Sequence, residues 1–178
     1  MWPSPSPRWL FTKVLISAAA LGTQLEYSCW ANQRLIDAAG QLTAEELARD
    51  FDTADKSVLG TLVHIYASER TWFRRLTALP PITFVTDADY RMSVIEEEWP
   101  PLGRRWREWA AGLSDEDAQK SISYKDLKGN PWEQPVWQIV LHVVNHSTHH
   151  RGQVSGFLRS MDHRPPQLDL IRYYRGEG

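Results

Sequence analysis

The sequence predicts an all-α protein, a four-helix bundle with a short extended or hairpin excursion before its last helix. Three observations predict it. Four long segments carry apolar residues at the three-and-four spacing of one helix face. Glycines and proline pairs fall mostly between those segments, where helices must stop. One stretch alone alternates polar and apolar residues in the manner of a strand. Amphipathic helices with so little strand bury their apolar faces against one another. At 178 residues, one domain spanning 1–178 is expected, with a single core.

The elements follow in order. Pro3, Pro5 and Pro7 make residues 1–7 a poor helix, so a loose N-terminal tail is expected. Apolar residues then recur at helical spacing from about Arg8 to Ala39, and Gly40 supplies a stop. Within this region "VLISAAALG" (14–22) follows Arg8 and Lys13 and has the look of a secretory leader. Its apolar run is short and continues into "TQLEYSCWANQRLI", so the first half of a long helix is expected instead. A second helix is expected from Thr53 or Asp55 to Leu79, ending before Pro80 and Pro81. Leu59, Leu62, Tyr66, Phe73 and Leu76 form its apolar face.

Residues 80–89 read as a crossing loop. A third helical region spans about Tyr90 to Leu113, with a kink or a new start expected at Pro100-Pro101. The alternating stretch "QKSISYKDLKGNP" (119–131) turns at Gly129-Asn130 and reads as a short hairpin. The fourth helix is expected from about Gln134 to Met161. Pro165 and Pro166 then end regular structure, leaving a polar C-terminal tail over 165–178.

Composition excludes several function classes. The chain is 42% hydrophobic with a formal net charge of -2, which gives no reason to expect a nucleic-acid or anionic-membrane partner. Arg104, Arg105 and Arg107 read as a solvated helix face. No segment approaches the roughly 18 apolar residues of a membrane span. The nine tryptophans imply bulky packing and indole N–H groups in need of partners. A single cysteine, Cys29, excludes an intramolecular disulfide, a Cys-based zinc motif and paired-Cys haem attachment. It reads as a small buried hydrophobe, and the usage fits a reducing, cytoplasmic location.

The chemistry-bearing stretch is "HVVNHSTHHRGQ" (142–153), where four of the six histidines fall. Val136, Val140, Val143, Ser147, His150, Val154, Phe157 and Met161 alternate four and three apart and mark the core-facing stripe. His150 lies within that stripe and His146 flanks it, whereas His142 drifts outward and His149 points to the surface. Two histidines four apart stand about 6 Å from each other along the axis, close enough to share one ion. His142 and His150, about 12 Å apart along the axis, are too far for all three to do so. The inward pair is therefore His146 with His150. Spacing alone leaves open whether this pair binds a metal or is a neutral, hydrogen-bonded part of the core.

Other chemistries are absent. The HxxxH here lacks the glutamate of a zincin protease. No histidine follows a glutamate by three residues, so the Glu-x-x-His signature of di-iron bundles is missing. There is no phosphate-binding loop and no dinucleotide fingerprint. Gly152 and Gly156, four apart, suggest close approach by a neighbouring helix.

Several stretches together resemble the DinB/YfiT-like family of metal-binding four-helix bundles. "YSCWANQRLI" (27–36) is similar to that family's Tyr-x-x-Trp-Ala-Asn stretch, and "TLVHIYASERTWFRRL" (61–76) resembles its second helix. "HVVNHSTHHRGQV" (142–154) resembles its most specific motif, His-x-x-x-His-Arg-Gly-Gln, and "PPQLDLIRYYR" (165–175) its C-terminal ending. The resemblance covers roughly residues 14–175. It implies an up-down-down-up bundle, frequent homodimers, and a metal triad of His64, His146 and His150. His64 enters through the resemblance alone, since it lies off the densest apolar stripe of its helix; its neighbours Gly60, Ala67 and Ser68 are small. The proline pair and the extended N-terminus depart from the family pattern.

Three imidazoles suit a divalent metal, Zn or Ni foremost, with Fe, Mn or Cu also compatible. By the same resemblance the expected activity is metal-dependent S-transfer or isomerisation, with a low-molecular-weight thiol such as bacillithiol or mycothiol as co-substrate and a small-molecule substrate. Arg151 and Tyr66 are candidate substrate contacts, though a surface arginine and a core tyrosine are the plainer expectation. The alternative is a non-catalytic metal-binding or stress-response module, or a bundle whose site is vestigial.

Overall fold

The computed structural model describes residues 16–177. Four long helices build the body: α1 (Ala18–Ala39), α3 (Val58–Leu76), α4 (Met92–Ala111) and α6 (Val136–Ser160). Short helices α2 (Ala44–Ala48), α5 (Asp115–Gln119) and α7 (Leu170–Tyr174) and a hairpin of β1 (Ser121–Lys125) and β2 (Pro131–Pro135) fill the connections. Around the bundle, α1 packs against α4 and α6, and α3 packs against the same two helices from the other side. The core is therefore walled by four apolar faces.

Each long helix buries an apolar face; of the face expected on α3, Leu62, Tyr66 and Phe73 are buried, whereas Leu59 and Leu76 are only partly so. Leu21, Leu25 and Leu35 come from α1, Leu62, Val63 and Ile65 from α3, Ile95, Trp99, Leu102 and Trp106 from α4, and Ile139, Val140, Val143, Val154 and Leu158 from α6. Burying each such side chain contributes about 1.5–3 kcal/mol. Local signals set most of the starts. Ser17, Thr43, Ser57 and Ser114 accept backbone N–H groups at the N-termini of α1, α2, α3 and α5. Thr43 and Glu46 complete a capping box.

The expected tail over 1–7 and the helix start near Arg8 lie outside the described residues. Within them, Ser17 is extended at φ -70° and ψ 149°, so the helix carrying 18–39 begins at Ala18. The second long helix starts at Val58 and stops at Leu76, inside its expected bounds.

The proline pair does not break the third helix. Pro100 and Pro101 lie inside a continuous α4. The carbonyls they leave without donors are those of Glu96 and Glu97, residues on the exposed face of the helix. Burial of Ile95, Trp99, Leu102 and Trp106 on the other face offsets the loss.

The excursion is a hairpin, with Ser121 opposite Pro135 and Lys125 opposite Pro131. Its turn closes through Asp126 N–H to the Asn130 carbonyl at 3.0 Å, with Gly129 at φ 87°. The C-terminal tail holds α7 against α1: the Tyr173 hydroxyl lies 3.1 Å from Glu26 Oε2. Gly152 and Gly156 are exposed, and a Cβ at either meets nothing within 4 Å. They permit no close helix approach, because α6 presents that side to solvent.

Candidate metal centre

The face shared by α3 and α6 brings together three histidines. His64 comes from the first half of α3, and His146 and His150 come from successive turns of α6. One ring nitrogen from each lies within 4.8 Å of the other two. His64 Nε2 and His146 Nε2 stand 3.0 Å apart. The ring of His150 is centred 4.5 Å from each of the other two. Two nitrogens each about 2.05 Å from a metal lie roughly 2.9 Å apart at a right angle and roughly 3.3 Å apart at the tetrahedral angle. The 3.0 Å spacing falls between these values. Two facing imidazole nitrogens can share only one proton, and a divalent cation would take its place; the three-imidazole donor set is compatible with one.

Environment disfavours the charged form of two of the donors, His146 and His64. Burial first, and then the neighbouring imidazoles of His150, His64, His142 and His149, push His146 down to about 3. Burial also lowers His64, against the opposing pull of Asp55 and with the help of His150. A neutral imidazole offers a lone pair to a metal, so the site is prepared without proton release from these two. The cluster is only half-buried: the side chains of His64 and His150 are 28% and 13% exposed.

A second layer lies behind the rings. Asp55 Oδ1 is 3.5 Å from His64 Nδ1, and Asp55 Oδ2 is 3.6 Å from His150 Nδ1. Gln153 Oε1 is 2.7 Å from His150 Nδ1. Phe84 sets its ring edge-on to His64 with centroids 6.0 Å apart. On the other flank His142 lies edge-on to Trp72, centroids 5.4 Å apart, and 5.7 Å from the ring of His146. His142 thus borders the cluster without joining its ligand set.

Beneath the cluster runs a buried polar network. Glu69 is 4% exposed and Arg151 is 1% exposed. Glu69 Oε1 accepts from Asn32 Nδ2 at 2.9 Å and Ser147 Oγ at 2.7 Å, and its Oε2 accepts from Trp99 Nε1 at 2.7 Å. Arg151 Nη1 donates to Asn32 Oδ1 at 2.8 Å and Ser28 Oγ at 3.0 Å, and Nη2 donates to Thr148 Oγ1 at 2.7 Å. One carboxylate therefore bonds to α1, α4 and α6 from its place on α3, and Asn32 links it to the guanidinium. Arg151 is a core cation and not the surface arginine expected from sequence. Tyr66 is core as expected, with Arg70 over its ring at 4.8 Å.

Sequence reasoning missed Asp55, Gln153 and Glu69. Gln153 follows His150 by one helical turn and was readable on that ground. Glu69 continues the stripe of Leu62, Tyr66, Phe73 and Leu76, and an acid on a core stripe is itself a signal. Asp55 lies in a loop and carries no periodic signal. Cys29 has no part in the site: burial first, with Glu69, pushes its thiol up to about 12. A cleft of about 600 Å³ opens elsewhere, between α1 and α4, and Trp30, Arg34, Arg104, Arg107 and Tyr173 line it.

A helical bundle in which three imidazoles converge between two of its helices is of a class compatible with metal binding. Within that class the DinB family model matches residues 13–177, and the chain belongs to the DinB family. It is 25% identical over 154 residues to Protein DinB of Bacillus subtilis (strain 168), covering 83% of this chain and 90% of that one. It is 28% identical over 151 residues to the uncharacterized protein YizA of the same organism, covering 82% and 91%. The crystal structure of a DinB-like protein from Bacillus cereus ATCC 10987 superposes with a TM-score of 0.65 at 18% identity, covering 86% of this chain and 99% of that chain. That likeness shows the fold. No described helix is long and apolar enough to cross a membrane.

Proposed function

We propose that this protein binds one divalent metal ion through His64, His146 and His150 and uses it to activate a low-molecular-weight thiol for transfer to, or isomerisation of, a small-molecule substrate. The observation that supports the reading is the convergence of three imidazole nitrogens within 4.8 Å on one partly exposed face. Three protein ligands fill part of a Zn²⁺ or Ni²⁺ coordination sphere and leave at least one position for an exogenous group. When bound, the metal supplies Lewis acidity that lowers a thiol's pKa and holds it as thiolate.

The chain's own residues do the rest. Gln153 hydrogen-bonds Nδ1 of His150, and the Asp55 carboxylate lies close to Nδ1 of both His64 and His150. Phe84 on one side and Trp72 with His142 on the other form aromatic flanks. The thiol comes from solution, since the protein's own Cys29 is held protonated in the bundle. Homodimer formation, supported by the family resemblance, and a cytoplasmic location, supported by the single-cysteine usage, belong to the same reading.

One observation favours a second reading, a non-catalytic metal-binding module. The roomy α1–α4 cleft is lined by residues other than the histidines, away from the centre that a substrate must reach. The two readings separate when Zn²⁺- or Ni²⁺-loaded protein is titrated with a panel of biological thiols. The catalytic reading expects saturable binding that His64→Ala abolishes. Metal-loaded protein that neither binds nor consumes any thiol leaves the module reading in its place.

A further inference from the structure

We infer that Asp55 is the positioning residue of the histidine cluster. Its single carboxylate faces the Nδ1 sides of His64 and His150, so that their Nε2 atoms are left for a shared metal ion. The inference rests on the metal reading above and extends it to a residue outside the ligand set.

The two carboxylate oxygens divide between two helices. Oδ1 faces Nδ1 of His64 on α3 at 3.5 Å, and Oδ2 faces Nδ1 of His150 on α6 at 3.6 Å. An imidazole that gives one nitrogen to a metal carries its proton on the other, and an acceptor there fixes the tautomer and the ring plane. Gln153 already serves His150 at 2.7 Å. For His64, the carboxylate placed nearest Nδ1 among the described residues is that of Asp55, at 3.5 Å, within reach of a hydrogen bond after a small closure. Charge argues the same way. Three neutral imidazoles leave a dication uncompensated, and Asp55 supplies one negative charge directly behind two of them.

The backbone delivers this carboxylate by a specific device. Asp55 lies between α2 and α3 in a tight loop closed by three hydrogen bonds. Phe51 N–H donates to the Lys56 carbonyl at 2.7 Å, Lys56 N–H to the Thr53 carbonyl at 3.0 Å, and Ser57 N–H to the Asp55 carbonyl at 2.7 Å. Asp52 and Lys56 adopt left-handed backbone, φ 55° and 63°, which non-glycine residues seldom do. The loop is tied to α6 through Phe51, whose ring stacks on Phe157 at 4.3 Å with the planes 6° apart. In this position the Asp55 carbonyl oxygen occupies the space a Cβ on residue 60 would need. Only glycine fits there, so Gly60 gives the loop room to lean over the first turn of α3 and reach the histidines.

The test uses the full chain as wild type, Asp55→Asn and Gly60→Ala. Zn²⁺ affinity is measured by competition with a chromophoric chelator. The ¹⁵N shifts of the His64 and His150 imidazoles are recorded in metal-free and Zn²⁺-loaded protein. Asp55→Asn keeps the side-chain size and removes the charge, whereas Gly60→Ala keeps the carboxylate and displaces it. Both are expected to weaken Zn²⁺ binding about 10- to 100-fold. Asp55→Asn should also redistribute the His64 tautomers in the metal-free protein without moving its unfolding midpoint, which a merely structural role does not do. Should Gly60→Ala fail to fold, Asp55→Asn decides alone. An Asp55→Asn variant with wild-type Zn²⁺ affinity and unchanged imidazole shifts overturns the inference. If wild type itself takes up no Zn²⁺, the metal reading fails, and the metal-free ¹⁵N shifts still decide whether Asp55 sets the tautomer.

Discussion

Replacing Glu69 with glutamine is the sharpest test of how this bundle is held together. The amide is the same size as the carboxylate, so packing is preserved and only charge and hydrogen-bond polarity change. Glu69 accepts three bonds, from Asn32, Ser147 and Trp99, at 2.7–2.9 Å. An amide can present its oxygen to one side only. With that oxygen towards Asn32 and Ser147, its NH₂ meets the Trp99 N–H. Turned round, it meets the Asn32 NH₂. Either way one buried donor is left unpaired, at about 1–3 kcal/mol, and the remaining bonds drop from charged to neutral strength. Arg151, 1% exposed, also loses the negative charge that Asn32 relays to it. Glu69 and Arg151 are linked only through Asn32 and form no direct ion pair, so the combined loss is expected at about 2–4 kcal/mol, from one unpaired donor and the weakened bonds. Urea unfolding of the metal-free protein reads it as a fall in midpoint with an unchanged slope. The double variant with Arg151→Met should lose less than the sum of the two single changes. A Glu69→Gln loss below about 1 kcal/mol, or strict additivity, refutes the assignment of the network as a charge-balanced core.

Two further predictions follow from the same packing and from the histidines. Trp99 and Trp106 are both 1% exposed, but only Trp99 bonds its indole N–H to Glu69, whereas that of Trp106 has no partner among the described residues. Trp99→Phe should therefore cost about 2 kcal/mol more than Trp106→Phe in the same unfolding assay, and equal costs contradict the hydrogen-bond account. Metal-free protein should lose stability as pH falls from about 6.5 towards 3. The sign follows from His146, which is held at about 3 in the fold against an ordinary value near 6.5. Across that window the unfolded chain binds a proton there that the folded chain refuses. Because the site is partly exposed, water screens the effect, and the His146 contribution should stay below about 1.4 kcal/mol per pH unit. In His146→Ala the slope in this window should shrink; an unchanged slope removes His146 as its source.

The long elements were legible because periodicity and stop signals agree over many residues. Leu59 to Leu76 and Val136 to Met161 each keep one apolar face through several turns, and the helices lie within a few residues of those readings. The hairpin was legible from alternation and the glycine turn. Helices of five residues, such as α2 and α5, span too little for a period to show, although their caps Thr43 and Ser114 are plain in hindsight. Of the two outcomes expected at the proline pair, a new helix start does not occur, because burial of Trp99 and Trp106 holds one helix across it. At the site, helix geometry selects His146 and His150, while His64 came from the family resemblance. Its pairing with α6 depends on how two distant helices meet, which no local pattern encodes. Asp55 was invisible for a related reason: its reach to the rings is set by the 51–57 turn and the space at Gly60. Arg151 was misread because a lone arginine is ordinarily solvated, and its partners Asn32 and Ser28 lie on another helix.

The central claim is that His64, His146 and His150 form one metal centre. Elemental analysis of untagged protein, with His64→Ala and His150→Ala purified alongside, tests it most directly. The account predicts close to one divalent metal ion per wild-type chain and little or none in either variant. Wild-type protein that stays metal-free after incubation with Zn²⁺ or Ni²⁺ contradicts it, and the three imidazoles then stand as a hydrogen-bonded polar cluster.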